Sequence, residues 1–154
     1  ITVQAPHPPL LMGGGAEAAL RRIGRIADGW ISSSRTDLTS IGGSVELIRA
    51  SAVEAGRWFT ARGVAVAVIT LGAKGAVVVQ QDQVDVLDPF PVEVVDTTAA
   101  GDAFTGALGT GLAAGRPLPV ALQRAMAAAA LAVTVRGASP SLPTAEAVDA
   151  FLER

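Results

Sequence analysis

The chain has 154 residues, half of them hydrophobic, with 14 acidic and 12 basic residues and a formal net charge of −2. The length fits one compact domain, and the charge lacks the basic footprint of a nucleic-acid or anionic-membrane binder. With no Cys and a single His, disulfides, cysteine nucleophiles and thiolate or histidine-rich transition-metal sites are excluded. Ala125 to Val133 is the longest apolar run, far short of the roughly 20 residues of a membrane span. No basic segment precedes an apolar one at the N-terminus, so a cytoplasmic location is expected. The chain begins at Ile1, and an upstream part is expected. Partners are expected to be small molecules at most, a nucleotide or phosphate, with no nucleic acid and no membrane; the oligomeric state is not determined.

Segments of strand and helix character alternate, the pattern of βα units that feed a parallel sheet. Pro9 to Met12 reads as a strand ending in Gly13, Gly14 and Gly15. A helix over Ala16 to Ala27 carries Ala19, Leu20, Ile23 and Ile26 on one face, with Arg21, Arg22 and Arg25 as a solvated stripe on the other. Trp30 to Ser33 is a short strand, and Ser34 to Gly43 a polar loop. Ser44 is placed to cap a helix with Val45, Leu47, Ile48 and Ala52, which continues to Arg62 or breaks at Gly56. Val64 to Leu71 is a β-branched run typical of a strand buried on both faces.

Past Gly72, the short strands Ala76 to Gln80 and Gln83 to Leu87 form a hairpin expected at a sheet edge. Val92 to Val95 reads as a further strand. Asp96 to Gly101 is a turn of polar and small residues before a helix from Asp102 to Ala114, which Gly115 ends. Pro117 and Pro119 open an Ala-rich helix over Ala121 to Val135, Arg136 to Pro143 is a loop, and Thr144 begins a last short helix. The expected fold is a single domain over residues 1–154: a three-layer αβα sandwich with a mainly parallel, Rossmann-like sheet and an antiparallel edge hairpin.

The segment Asp96-Thr97-Thr98-Ala99-Ala100-Gly101-Asp102-Ala103-Phe104 carries the most chemistry. Small residues admit an anion close to the backbone, and free N–H groups and the dipole of a helix N-terminus attract it. Asp102 in the first turn would lie beside a bound phosphate, where a carboxylate can accept the proton of an attacking hydroxyl. The plainer alternative is that Asp102 is a favourable N-terminal helix charge and the small residues serve packing.

This stretch resembles the signature D-T-x-G/A-A-G-D-x-F of the ribokinase-like (PfkB) carbohydrate kinase family, and DTTAAGDAF is followed by TGAL. Upstream VITLGAKGAVVV and downstream AAAALAV and RGASPSLP are similar to further family motifs, so the resemblance covers about Trp58 to Arg154. It implies an anion hole from the backbone of Ala99, Ala100 and Gly101, with Asp102 as catalytic base. It implies that Thr70, Gly72 and Gly75 line a nucleotide, ATP or ADP. In relatives that bind a monovalent cation, the positions of Asp96, Thr98, Arg136, Gly137 and Ser141 surround it, largely through backbone oxygens. Two departures stand against this pattern. Met126 falls where many relatives have a polar residue beside the adenine, and the family's N-x-x-E motif is absent upstream of VITLG. A full family member is also about twice as long, its N-terminal half supplying the sugar site and lid.

Residues Pro8 to Trp30, PPLLMGGGAEAALRRIGRIADGW, resemble instead the late part of luciferase-like flavin- or deazaflavin-dependent monooxygenases, which are TIM barrels. That resemblance covers about Thr2 to Gly56, taken as a segment over 1–57 beside a ribokinase-like segment over 58–154. It implies that Gly13, Gly14 and Gly15 cradle a cofactor phosphate, as loops after late barrel strands do; the alternative is a sharp strand-to-helix turn. A quarter of a barrel cannot enclose a flavin ring, so flavin catalysis is not expected. His7 between two prolines reads as solvated, and Trp30 and Trp58 as core or rim anchors. The reading that joins both resemblances is an engineered or recombined α/β chimera, a folded scaffold with a residual anion- or nucleotide-binding turn and no complete active site. The alternatives are an ATP-dependent ribokinase-like sugar kinase with Asp102 as base, and a flavin-phosphate-binding module.

Overall fold

The computed structural model describes residues 11–13, 29–33, 45–81 and 83–153. Gly14, Gly15, His7, the expected helix over Ala16 to Ala27 with its arginine stripe, the loop from Ser34 to Gly43 and Ser44 lie outside the described residues. The chain divides into two compact units, Ile1–Asp88 and Pro89–Arg154.

The first unit is an α/β layer built on a five-stranded sheet, β1 (Leu11–Gly13), β2 (Gly29–Ser33), β3 (Val66–Thr70), β4 (Ala76–Gln80) and β5 (Gln83–Leu87), in the order β1-β2-β3-β4-β5. β1, β2 and β3 run parallel, with Met12 opposite Trp30 and Ile31 opposite Val68. β3, β4 and β5 pair antiparallel, Val68 opposite Val78 and Val78 opposite Asp85. The sheet is therefore mixed, and its parallel part is no larger than its antiparallel part, where a mainly parallel sheet was expected. The physical reason lies in the connections. The tight turns between β3 and β4 and between β4 and β5 can only reverse the chain, whereas a parallel neighbour needs a crossover of a dozen or more residues. Between β2 and β3 that crossover contains helix α1 (Val45–Thr60).

α1 runs unbroken through Gly56, where the sequence left a break open. Its buried stripe is Ala52, Gly56 and Phe59 at helical spacing. Ala52 and Phe59 pack with Val64, Ala67, Ile69, Leu71, Val77 and Val79 into one apolar cluster. A Cβ on Gly56 would lie 2.3 Å from Val79 Cγ2, so glycine here lets the helix backbone approach the strand. Val68 and Val78, which point to the opposite face, are buried as well, as expected for β-branched strands covered on both sides. Trp58 is 47% exposed and carries the Arg62 guanidinium 3.6 Å from its ring centroid, a rim position rather than a core one.

The second unit is helical: α2 (Ala100–Ala113), α3 (Leu118–Ala132) and α4 (Ala145–Leu152). The expected strand at Val92 to Val95 is not formed. Pro89 and Pro91 in its approach lack the N–H a ladder needs, and Val94 and Val95 are exposed. The amides of Val95 and Asp96 donate instead to the carbonyl of Val133, at 2.8 and 3.1 Å. α2 ends in a Schellman motif, with Gly115 N–H on Leu112 O and Arg116 N–H on Gly111 O, and Gly115 at φ +73°. α3 starts one turn before the expected position, at Leu118 after Pro117. A Cβ on Gly111 would approach Ala121 Cβ to 3.1 Å, and Ala121, Ala125, Ala127, Ala128 and Ala132 are buried. Small side chains thus allow close helix–helix packing. α4 is capped by Thr144, whose Oγ1 accepts from Ala147 N at 3.2 Å. It lays Val148 against Ala103, Ala127, Ala128 and Ala132, while Phe151 meets Phe90 edge-on at 5.3 Å and Asp149 pairs with Arg124. No helix among the described residues is long and apolar enough to cross a membrane.

Candidate functional site

The site-bearing turn begins where residues 95 and 96 are tied to Val133. The Asp96 carboxylate then takes three donors: its Oδ1 accepts from Thr98 N at 3.0 Å and Thr98 Oγ1 at 2.7 Å, and its Oδ2 accepts from Gly137 N at 2.9 Å. Hydrogen bonds to the ionised form favour it. The Thr98 hydroxyl, the Gly137 amide and the Thr98 amide, in that order, outweigh some desolvation, and with a minor part from the Arg136 charge they lower the Asp96 pKa from 3.8 to about 2.

After Asp96 the chain makes a tight turn, with Ala100 N–H on Thr97 O at 3.4 Å. Ala99, at φ 63° and ψ 7°, occupies the left-handed position of a type II turn that normally belongs to glycine. The first helical bond runs from Ala103 N to Ala99 O at 2.9 Å. Among the described residues no acceptor meets the amides of Gly101 and Asp102, the orphan donors of a helix start. Of the Ala99, Ala100 and Gly101 set, the Ala100 amide closes the turn, while the Ala99 and Gly101 amides meet no acceptor among the described residues, and the Asp102 amide adds a further free donor. Asp102 is the acidic residue of the first turn of α2. Its side chain is exposed and makes no hydrogen bond or ion pair with a described residue, so it is open to an incoming ligand.

Of the residues expected around a cation, the structure joins Asp96, Thr98 and Gly137 through direct hydrogen bonds, with Arg136 adjacent. Gly137 takes φ +94°. Ser141 is buried at the end of a short 3₁₀ turn, Ser139–Ser141, and its hydroxyl donates to Ala138 O at 2.8 Å. Thr70, Gly72 and Gly75 belong to the first unit, where they form a turn of their own: Thr70 ends β3, a 3₁₀ turn spans Gly72–Lys74, and Gly75 leads into β4. Gly13 is the last residue of β1. Met126 is buried within α3. Among the described residues, no three His, Cys, Asp or Glu side chains converge as a metal-ligand group. The residue that pattern reading undervalued is Asp96. The D-T start of the motif was the available signal, but its partner Gly137 is 41 residues away.

Solved structures with this architecture include ribokinases. The crystal structure of ribokinase from Thermotoga maritima matches with a TM-score of 0.77 at 29% identity, covering 94% of this chain and 48% of that one. The Arabidopsis thaliana ribokinase solved with ribose and ATP matches with a TM-score of 0.75 at 28% identity, over 95% of this chain and 48% of that one. In sequence, the chain is 41% identical to a Haemophilus influenzae ribokinase over 103 residues, 67% of this chain and 34% of the relative. The family model for pfkB family carbohydrate kinases matches residues 34–145. The chain belongs to that family, and it spans between a third and a half of the length of these relatives.

These matches overturn the reading of the chain as a chimeric scaffold without an active site. The family model begins well before Gly56, and a ribokinase match covers 94% of the chain; neither supports a luciferase-like parent for the first segment. A glycine-rich stretch is a sequence pattern that unrelated folds share, so it does not single out a luciferase-like parent.

Proposed function

We propose that this chain carries the nucleotide-side portion of a ribokinase-type sugar kinase, which transfers the γ-phosphoryl group of ATP to a hydroxyl of a pentose such as ribose. The observation that carries the reading is the start of α2, where two amides and a carboxylate without partners among the described residues occupy one helical turn. The names of the relatives, and the Arabidopsis ribokinase solved with ribose and ATP, support the choice of substrates.

In this mechanism the Gly101 and Asp102 amides and the α2 dipole stabilise negative charge on the phosphoryl oxygens as the bond to ADP breaks. The sugar hydroxyl oxygen forms the new bond to phosphorus, and its proton passes to the Asp102 carboxylate. Thr70, Gly72 and Gly75 are proposed to line the nucleotide. A monovalent cation would be held by Asp96, with the backbone oxygens around Thr98, Arg136, Gly137 and Ser141, and would supply further positive charge near the anion. Asp96 fits such an ion, since it is held ionised and one of its roughly four acceptor sites has no described partner.

The test is ATP-dependent phosphorylation of ribose by the chain with the N-terminal half of a ribokinase supplied in trans, since most of the expected acceleration comes from positioning both substrates. Asp102→Asn is expected to lower turnover by about 10²- to 10⁴-fold and to leave ADP affinity unchanged. Equal turnover by the Asn variant would remove Asp102 from the mechanism.

A further inference from the structure

We propose that Asp96 is the positioning residue of the phosphate-binding turn, acting through its hydrogen bonds to Thr98; the proposal rests on the kinase reading of that turn. The direction of the free Gly101 and Asp102 amides depends on the bend at residues 97–100, and that bend is poorly held by its own backbone. Its closing bond, Ala100 N to Thr97 O, is 3.4 Å long. Its third residue is an alanine at φ 63°, a conformation that Cβ disfavours. The bonds that hold it are those of Asp96: 2.7 Å to the Thr98 hydroxyl and 3.0 Å to the Thr98 amide, one residue before the left-handed position. Bonds to a carboxylate are charge-assisted and stronger than neutral ones.

The second carboxylate oxygen meets Gly137 N at 2.9 Å, 41 residues further on. The same side chain therefore ties the bend to the loop that follows α3, next to the Val133 carbonyl that takes the amides of Val95 and Asp96. The two arms can be cut separately. Thr98→Val removes the hydroxyl bond and leaves the carboxylate, its Gly137 partner and the Thr98 backbone oxygen in place. Asp96→Asn keeps an acceptor for Thr98 but turns an NH₂ donor toward the Gly137 amide.

The probe is ADP, titrated into the full chain with choline as the sole monovalent cation, so that a cation held by Asp96 cannot produce the result. Binding is read at the amide resonances of Gly101 and Asp102, with the thermal midpoint of each variant measured alongside. Thr98→Val is expected to weaken ADP binding about 10-fold. Thr98→Ser should restore it while the thermal midpoints of the Val and Ser variants stay close. Asp96→Asn should weaken binding as well. If wild-type amides do not move with ADP, the phosphate reading of the turn falls and the proposal with it. If wild type binds and Thr98→Val binds equally well, or if Thr98→Ser fails to restore the loss, the positioning role alone is overturned.

Discussion

The two turns that bear candidate ligand residues are held in opposite ways. The turn from Leu71 to Gly75 closes on its own backbone, with Leu71 N on Gly75 O at 2.7 Å, Lys74 N on Leu71 O at 3.2 Å and Gly75 N on Gly72 O at 3.1 Å. Its two positive-φ positions, Gly72 and Gly75, are glycines. The turn from Asp96 to Asp102 relies on a side-chain carboxylate and places an alanine at positive φ. The difference shows how a turn can be kept in shape and still keep donors for a ligand. In the first turn the backbone bonds occupy the amides of Leu71, Lys74 and Gly75; in the second the Asp96 carboxylate reinforces the bend, and the amides of Gly101 and Asp102 at the helix start meet no acceptor among the described residues.

Substitutions can break or sharpen this contrast. The largest expected effect is at Gly75, whose φ of 89° and ψ of −136° lie near the extended positive-φ region that is essentially closed to other residues. Gly75→Ala should cost about 2–3 kcal/mol of unfolding free energy in urea titration; an unchanged midpoint would mean the turn relaxes freely. Gly72, at φ +59° with open space where a Cβ would lie, is an ordinary left-handed site. Gly72→Ala should therefore cost less, about 1 kcal/mol, and the order of the two variants is the discriminating result.

In the second turn the sign reverses. Ala99→Gly relieves the strain at φ 63° but frees the unfolded chain, so a net gain of about 0.5 kcal/mol is expected in thermal unfolding. A loss would mean that the turn is not strained at Ala99.

The smallest effect is the acid limb of stability, since Asp96 is reached by solvent. Its pKa falls from 3.8 to about 2 on folding, so its contribution is complete above about pH 4 and is lost as pH falls through about 2. Asp96→Asn should flatten the stability profile between those values. Asp149, lowered by its hydrogen bond to Arg124, and Glu146, lowered by hydrogen bonds at the α4 start, keep a residual slope in the variant. A profile identical to wild type would show that Asp96 gains nothing on folding.

Much of the second unit was legible in the sequence because its signals are local. Helices α2, α3 and α4 follow from Gly115, Pro117 and Thr144 as stops and starts; in the first unit the hairpin over β4 and β5 was legible as well, from two short Val-containing runs on either side of Gln81. Asp102 was marked by the motif that surrounds it, and the structure leaves it exposed in the first turn of α2. The luciferase-like reading of the first segment came from the same kind of reasoning, applied to a glycine-rich sequence pattern that unrelated families share.

What the amino-acid order alone determined, then, is each element with its period and caps, since these depend on residues within a few positions of one another. Only the tertiary structure decided the features that depend on distant partners. Gly56 lies within an unbroken helix packed closely on β4, with Val79 Cγ2 2.3 Å from where its Cβ would be. Val92 to Val95 is no strand, as the nearby carbonyl of Val133 takes the amides of Val95 and Asp96. Asp96 has its second oxygen on the Gly137 amide because the loop after α3 folds back across 41 residues of chain. Hydrogen bonds and van der Waals contacts act over a few ångströms in space whatever the separation in sequence, and no local pattern encodes which remote residue will fill that distance.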